Sequence, residues 1–253
     1  MPPMLTKITD RRAMRRWARA ANDIDSLDPL ALKHLHAQAD RLSRRLNKVL
    51  RAAEGRLTAP RAETANRALP THTDWTYQPQ IWTESLRPSG LAQVACGTRL
   101  CSEAALFHDC SRKEISWRQT RTHSATSTSR FASTLDILGF DGTYLSLALD
   151  LPNPVLTNLT RHHIIGLTAA IETERPIDIY VRLNLRHGPN IAQITRKFDD
   201  TSTAQPIDFD LSTTDIDETR LNRAWIDLIF EAPALNRICI QDLSLNRHPR
   251  AEV

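Results

Sequence analysis

Two periods of apolar residues divide the chain. As far as residue 57 they recur every three or four positions, the spacing of a helix face; from residue 91 onward they recur every second position, the spacing of a strand buried on one side. DPLALKHLHAQADRLSRRLNKVLRAAEG reads as one helix, with Asp28 as N-cap, Pro29 in the first turn and Gly55 just past the end. Its residues Leu32, Leu35, Ala39, Leu42, Leu46, Val49 and Ala53 follow each other at alternating steps of three and four, a heptad seam over about three heptads. A shorter helix is expected from Lys7 to Ala21, with Ile8, Met14, Trp17, Ala18 and Ala21 as its apolar side. Asn22 to Asp28 then closes a helical hairpin.

Residues 58–90 form an extended connection. They carry four prolines, many threonines and no sustained period, with Trp75, Tyr77 and Trp82 as anchors to the next domain. From residue 91 to 253 the alternation predicts inward rows: Ile115 and Trp117; Leu145, Leu147 and Leu149; Ile165, Leu167, Ala169 and Ile171; Ile179, Val181, Leu183 and Leu185; Ile226, Leu228 and Phe230. Ile238 and Ile240 are followed by Leu243 and Leu245, a change of parity that predicts a bulge near Gln241. Shorter strands are expected near Val94, Leu106, Phe131 and Phe209, and a short helix in NPVLTNLT. Many short strands, each apolar on one face and without long helices between them, predict an antiparallel β-sandwich, jelly-roll-like in form, behind the helical hairpin. An immunoglobulin-like sandwich is the second choice.

Charge adds an asymmetry. Residues 1–67 carry 15 Lys and Arg against 7 Asp and Glu, a net of +8; the remainder carries 18 against 22, a net of −4. The basic arm, residues 28–54 in particular, has three readings: packing on its own acidic domain, self-association or another protein partner through the seam, or binding of nucleic acid or an anionic membrane surface. Arg41, Arg44, Arg45, Lys48 and Arg51 surround the helix instead of forming one stripe, which weakens the membrane reading. No apolar run approaches the ~20 residues of a membrane span, and no apolar region follows the arginine pairs of the N-terminus. The expected location is the cytoplasm, with the four cysteines as free thiols.

Several chemistries find no support. The seven glycines make neither a dinucleotide fingerprint nor a phosphate loop, and there is no G-x-S-x-G elbow. Cys96, Cys101, His108 and Cys110 could surround zinc, but at no familiar spacing. Asp210, Asp215, Asp217 and Glu218 could ligate calcium, yet they read more simply as turn and cap residues. Carboxylate pairs for hydrolysis could be drawn from Asp208, Asp210, Glu172 and Glu174, as from any chain with this many acids. No cofactor is implied.

The most informative stretch is YVRLNLRHGPN. Its inward row leaves Tyr180, Arg182, Asn184 and Arg186 on the other face, where Trp225 and Asp227, and Tyr144 and Ser146, are candidate neighbours. Rings with guanidinium and amide groups suit a sugar, an anion held by bidentate arginine, or a protein partner. A plain solvated sheet face gives the same alternation.

FDGTYLSLALDLP, WIDLIFEAP and LSLNRHPRAEV, with AEGRL, LFHDC and RLNLRHGPN, resemble a family of uncharacterised alphaproteobacterial proteins of the Rhodobacter and Roseobacter type. That resemblance implies no activity. The strand pattern is also similar in form to the jelly-roll of carbohydrate-binding modules, without a shared motif. The expected function is therefore non-enzymatic binding through a sheet face and a basic arm. A carbohydrate- or anion-binding module is the alternative, and a carboxylate-dependent hydrolase is the least supported.

Overall fold

The computed structural model describes residues 4–57, 69–122, 129–198 and 205–250. The chain divides into two compact units, Met1–Arg56 and Leu57–Val253. Residues 58–68 of the expected connection lie outside the described residues, as do the side chains of Ile8, Arg44, Lys48, Arg51 and Ala53.

The first unit holds helix α1 (Met4–Asn22), a 3-10 turn (Ile24–Ser26) and helix α2 (Pro29–Leu57). Asp28 Oδ1 accepts from the backbone N–H groups of Leu30 and Ala31, both at 2.9 Å, so the expected N-cap is made. The C-terminal expectation fails: α2 runs through Gly55 to Leu57, since a single glycine weakens a helix without ending it. Arg16 Nη2 donates to Gln38 Oε1 at 3.3 Å. Trp17, Leu35 and Ala39 are half-buried. Met14, Leu32, Leu42, Leu46 and Val49 are exposed. No helix among the described residues is long and apolar enough to cross a membrane.

The second unit is a two-sheet antiparallel sandwich. Its elements are β1 (Trp75–Tyr77), helix α3 (Gln80–Thr83), β2 (Gly90–Leu91), β3 (Thr98–Arg99), β4 (Ala104–His108), β5 (Ile115–Arg121), β6 (Phe131–Ile137) and β7 (Leu145–Asp150). A 3-10 turn at Asn153–Leu156 follows, where a short helix was expected. Then come β8 (His163–Thr173), β9 (Ile179–His187), β10 (Asn190–Lys197), β11 (Gln205–Asp210), β12 (Leu221–Phe230) and β13 (Asn236–Pro249). One sheet runs β11-β8-β13-β6-β5-β2, with β1 added to β13; the other runs β10-β9-β12-β7-β4-β3.

The inward rows read from the sequence meet between the sheets. Leu147, Leu183, Ile226 and Phe230 of one sheet and Leu135, Ile165, Leu167 and Ile240 of the other are at most 1 % exposed. The expected bulge is present: the register of β13 against β8 shifts between Ile240 and Asp242. It also divides the strand's other edge. Asn236–Ile240 pairs with β6, and Leu245–Arg247 pairs with β1.

Two expectations change. Val94 lies in a loop, not a strand; its N–H bonds Ile115 O and its carbonyl takes His108 Nε2. The later part of the expected connection is built into the sandwich. Trp75–Tyr77 is a strand, and Ile81 and Trp82 of α3 are fully buried. Trp82 Nε1 donates to Ile240 O, while buried Gln119 donates to Ile81 O and Glu84 O and accepts from Leu86 N. An amide in the core is tolerable because each of its groups is bonded. Arg247 closes the same seam with two bonds to Asp74 and two to the carbonyls of Val155 and Thr157.

Candidate functional site

Residues directly opposite in an antiparallel ladder share a face, so the registers assemble the outer face of the six-stranded sheet row by row. Arg182 stands between Thr195 and Asp227, and Asp227 stands beside Ala148. Asn184 stands between Gln193 and Trp225, and Trp225 beside Asp150. Tyr180 stands between Lys197 and Ile229, followed by Ser146 and Phe107. Arg186 stands between Ile191 and Arg223. All six residues singled out from the sequence, Tyr180, Arg182, Asn184, Arg186, Trp225 and Asp227, thus lie on this face, on adjacent strands.

The face is graded. Its centre is a fixed polar network. Arg182 Nε and Nη2 both donate to Asp227 Oδ2, at 3.2 and 2.9 Å. Asn184 Nδ2 donates to the same oxygen at 2.9 Å and approaches the carbonyls of Arg182 and Trp225; its Oδ1 accepts from Gln193 Nε2 at 2.9 Å. Asn184 is 0 % exposed and Asp227 6 %, on a sheet face where alternation alone predicts wet side chains. Gln193 Oε1 and Arg182 Nη1 take no partner among the described residues.

One end of the face is an apolar band crossing four strands. Tyr180 and Ile229 are half-buried, Phe107 is exposed, and Tyr144 is exposed at the foot of β7. Ser146 Oγ, between Ile229 and Phe107, is buried without a hydrogen-bond partner among the described residues. At a strand spacing of ~4.8 Å, Tyr180 and Phe107 are about 14 Å apart across the sheet. Tyr144 is held in place by its loop. Asp109 accepts from the N–H groups of Thr143 and Tyr144 and from the Thr143 hydroxyl, while Asp141 accepts from the Ser111 hydroxyl and N–H. These bonds hold the Asp141 carboxyl far below the usual carboxylate range, the Ser111 hydroxyl contributing most; the Thr143 hydroxyl is the main cause that lowers Asp109. Gly142 is required here, since a Cβ would come 2.3 Å from Asp109 Oδ1.

The other end is basic. The Arg223 guanidinium lies 4.9 Å from the Trp225 ring centroid and bonds Asp150 Oδ1. Arg186 is exposed beside it.

The opposite sheet differs. Its outward positions carry no Phe, Tyr or Trp among the described residues, and Arg118 and Arg237 both meet Asp136, at 3.2 and 2.6 Å. That is an ordinary solvated face.

Among the described residues no three His, Cys, Asp or Glu side chains gather as a metal site. Cys96 is exposed and Cys110 buried. Asp210 and Asp217 cap the short turns that follow them, through Ser212 N and Thr219 N. Glu218 accepts from Arg161 N.

Sequence reasoning missed Gln193, Arg223, Asp150 and Phe107. Strand β10 escaped notice because Ile191 and Ala192 are adjacent and break the alternation.

A family profile spans residues 1–253. The chain belongs to a family of unknown function, DUF6478. No curated protein matches it. Among solved structures, this DUF6478 chain is similar to the enzymatically active domain of bacteriophage CBA120 tailspike protein 4. That match has TM-score 0.40 and 7 % identity over 58 % of this chain and 19 % of that one, so the chain spans about a fifth of that relative's length. It is also similar to the family 11 carbohydrate-binding module from Clostridium thermocellum (0.36, 10 %, 63 % and 96 %). The xylan-binding domain CBM22-1 from Paenibacillus barcinonensis Xyn10C is a third (0.37, 6 %, 72 % and 100 %).

Proposed function

We propose that the protein is a non-catalytic binding protein that takes a saccharide chain across the outer face of its six-stranded sheet. The observation that carries this reading is the grading of that face. A band of rings and Ile229 lies at one end, with a rigid polar network beside it. Apolar ring faces cover the C–H face of a sugar, and fixed amide and guanidinium edges meet its hydroxyls. Preorganisation matters: Arg182, Asn184 and Asp227 are already ordered by one another, so little side-chain freedom is lost on binding. The ~14 Å span of the band suits an oligosaccharide better than a single sugar. The experiment is calorimetric titration of the full chain with soluble oligosaccharides. Phe107→Ala and Tyr180→Ala each weaken binding by about tenfold, or ~1.4 kcal/mol. Unchanged affinity in both variants overturns the reading, as does a panel with no binder.

A second reading, self-association through the arm, is favoured by the exposed seam residues Leu32, Leu42, Leu46 and Val49. In the heptad the positions flanking the seam are His36, Ser43 and Leu50 on one side and Gln38, Arg45 and Ala52 on the other, so the sequence assigns most basic residues to heptad positions outside a helix–helix seam. Light scattering on the full chain at micromolar concentration then reports a dimer, and Leu42→Glu with Leu46→Glu reports a monomer. A wild-type monomer removes this reading.

A further inference from the structure

We propose that the saccharide is acidic, carrying carboxylates on its rings, and that Arg186 is the residue that meets a carboxylate, with Arg223 as its neighbour. The proposal rests on the reading of the sheet face given above.

The charges on this face do not balance. Arg182 is matched by Asp227 at 2.9 Å and Lys197 by Asp178 at 2.8 Å. Arg223 and Arg99 share one carboxylate, Asp150. Arg186 has no anion among the described residues. The cations are Arg99, Arg182, Arg186, Lys197 and Arg223; the anions are Asp150, Asp227, Asp178 and Glu231, the last two facing each other at the apolar end. At the end away from the apolar band Arg186, Arg223 and Arg99 meet only Asp150.

Position sharpens this excess. Arg186 and Arg223 are directly opposite across β9 and β12. Like charges in that arrangement destabilise a ladder. Asp150 takes Arg223 and Arg99, as Asp136 takes Arg118 and Arg237 on the facing sheet, but no carboxylate among the described residues reaches Arg186.

Trp225 points the same way. A neutral sugar needs a bare ring to stack upon, and this ring is capped by the Arg223 guanidinium at 4.9 Å. Asp150 and the indole fix that guanidinium in place. A ligand arriving there meets one cation held by Asp150 and the indole beside another with no carboxylate partner among the described residues. Guanidinium groups bind carboxylate through paired, charge-assisted hydrogen bonds. At the other end no cation among the described residues covers Phe107 or Tyr144, and Lys197 Nζ lies 6.0 Å from the Tyr180 centroid, against 4.9 Å for Arg223 at Trp225; there the sugar's apolar face is served. One chain running from the band to the arginine pair uses both ends.

The test titrates the full chain with oligogalacturonate, with its methyl ester and with sodium sulfate. The acid and ester share a backbone and differ in charge; sulfate asks whether a bare anion suffices. The expected result is about tenfold tighter binding of the acid than of the ester, the size of one charge-assisted contact. Arg186→Gln removes that preference and leaves the melting midpoint unchanged, and sulfate gives no saturable heat. Equal affinity for acid and ester overturns the proposal. So does a preference that survives Arg186→Gln, saturable sulfate binding abolished by Arg186→Gln, or no binding of the acid. Tyr180→Ala separates the two levels. If it weakens acid and ester together while the two bind alike, the face stands and the acidic ligand falls; if it leaves both untouched, the face itself is not the site.

Discussion

Arg182 and Asp227 face the same bond from different surroundings, and that difference fixes the cost of losing either. The Asp227 side chain is 9 % exposed and the Arg182 side chain 36 %. In Arg182→Ala the carboxylate stays where it is, with Asn184 Nδ2 as its remaining protein donor. Stranding a buried charge costs about 3–5 kcal/mol. The space vacated by the guanidinium admits water and screening, which brings the figure to about 2 kcal/mol. In Asp227→Ala the guanidinium turns outward into solvent. Asn184 Nδ2 keeps the carbonyls of Arg182 and Trp225. The loss is then about 1 kcal/mol, one net hydrogen bond. The double variant resembles Asp227→Ala, because no carboxylate is left to strand; the two single losses exceed it by roughly 1–2 kcal/mol. Urea unfolding followed by tryptophan fluorescence and extrapolated linearly measures all four proteins. For a domain of this size Arg182→Ala lowers the midpoint by about 4–8 °C. Equal losses in the two single variants, or a loss below about 0.5 kcal/mol for Arg182→Ala, would refute the reasoning, since a surface pair costs that little.

Further expectations concern the loops at the foot of the face. Asp109 and Asp141 have folded-state pKa values held below the ordinary 3.8 by hydroxyl and backbone donors. Their contribution is complete above that value and is lost as pH falls below it, when the unfolded chain takes up protons that the folded chain refuses. Asp141→Asn therefore flattens the decline of the melting midpoint between about pH 4 and 2, from the ordinary carboxylate value downward, and an unchanged slope contradicts the assignment. Gly142→Ala places a Cβ against Asp109 Oδ1 and the Cys110 backbone. It lowers the midpoint by several degrees, and a neutral outcome would mean that the loop re-forms without its clasp.

Much of the fold was readable because the sandwich writes its inner face as alternation. The parity change at Gln241 disclosed a bulge because the core row must continue on the same side through Leu243 and Leu245. What escaped was structure whose apolar residues do not alternate. Edge strand β10 buries Ile194 but exposes Ile191, and α3 hides Ile81 and Trp82 side by side in a proline-rich stretch. The site follows the same division. Tyr180, Arg182, Asn184 and Arg186 share a face by local parity alone. Their partners are set by register, which places Trp225 opposite Asn184 and Asp227 opposite Arg182. Register is a property of two strands together, so Gln193, Asp150 and Phe107 had no local signal. Nor did alternation anticipate a buried asparagine on an outer face, because its surroundings come from three strands together: the side chains of Asp227 and Gln193 and the carbonyls of Arg182 and Trp225.

The central claim is that the outer face of the six-stranded sheet holds a saccharide chain. Calorimetric titration of the full chain with a panel of neutral and acidic oligosaccharides tests it directly, wild type beside the Phe107→Ala, Tyr180→Ala double variant. The account predicts saturable binding by wild type and a loss of about a hundredfold in the double variant, ~2.8 kcal/mol for two ring contacts. Binding that survives in the double variant, or a panel that gives no heat with the wild-type protein, would contradict it.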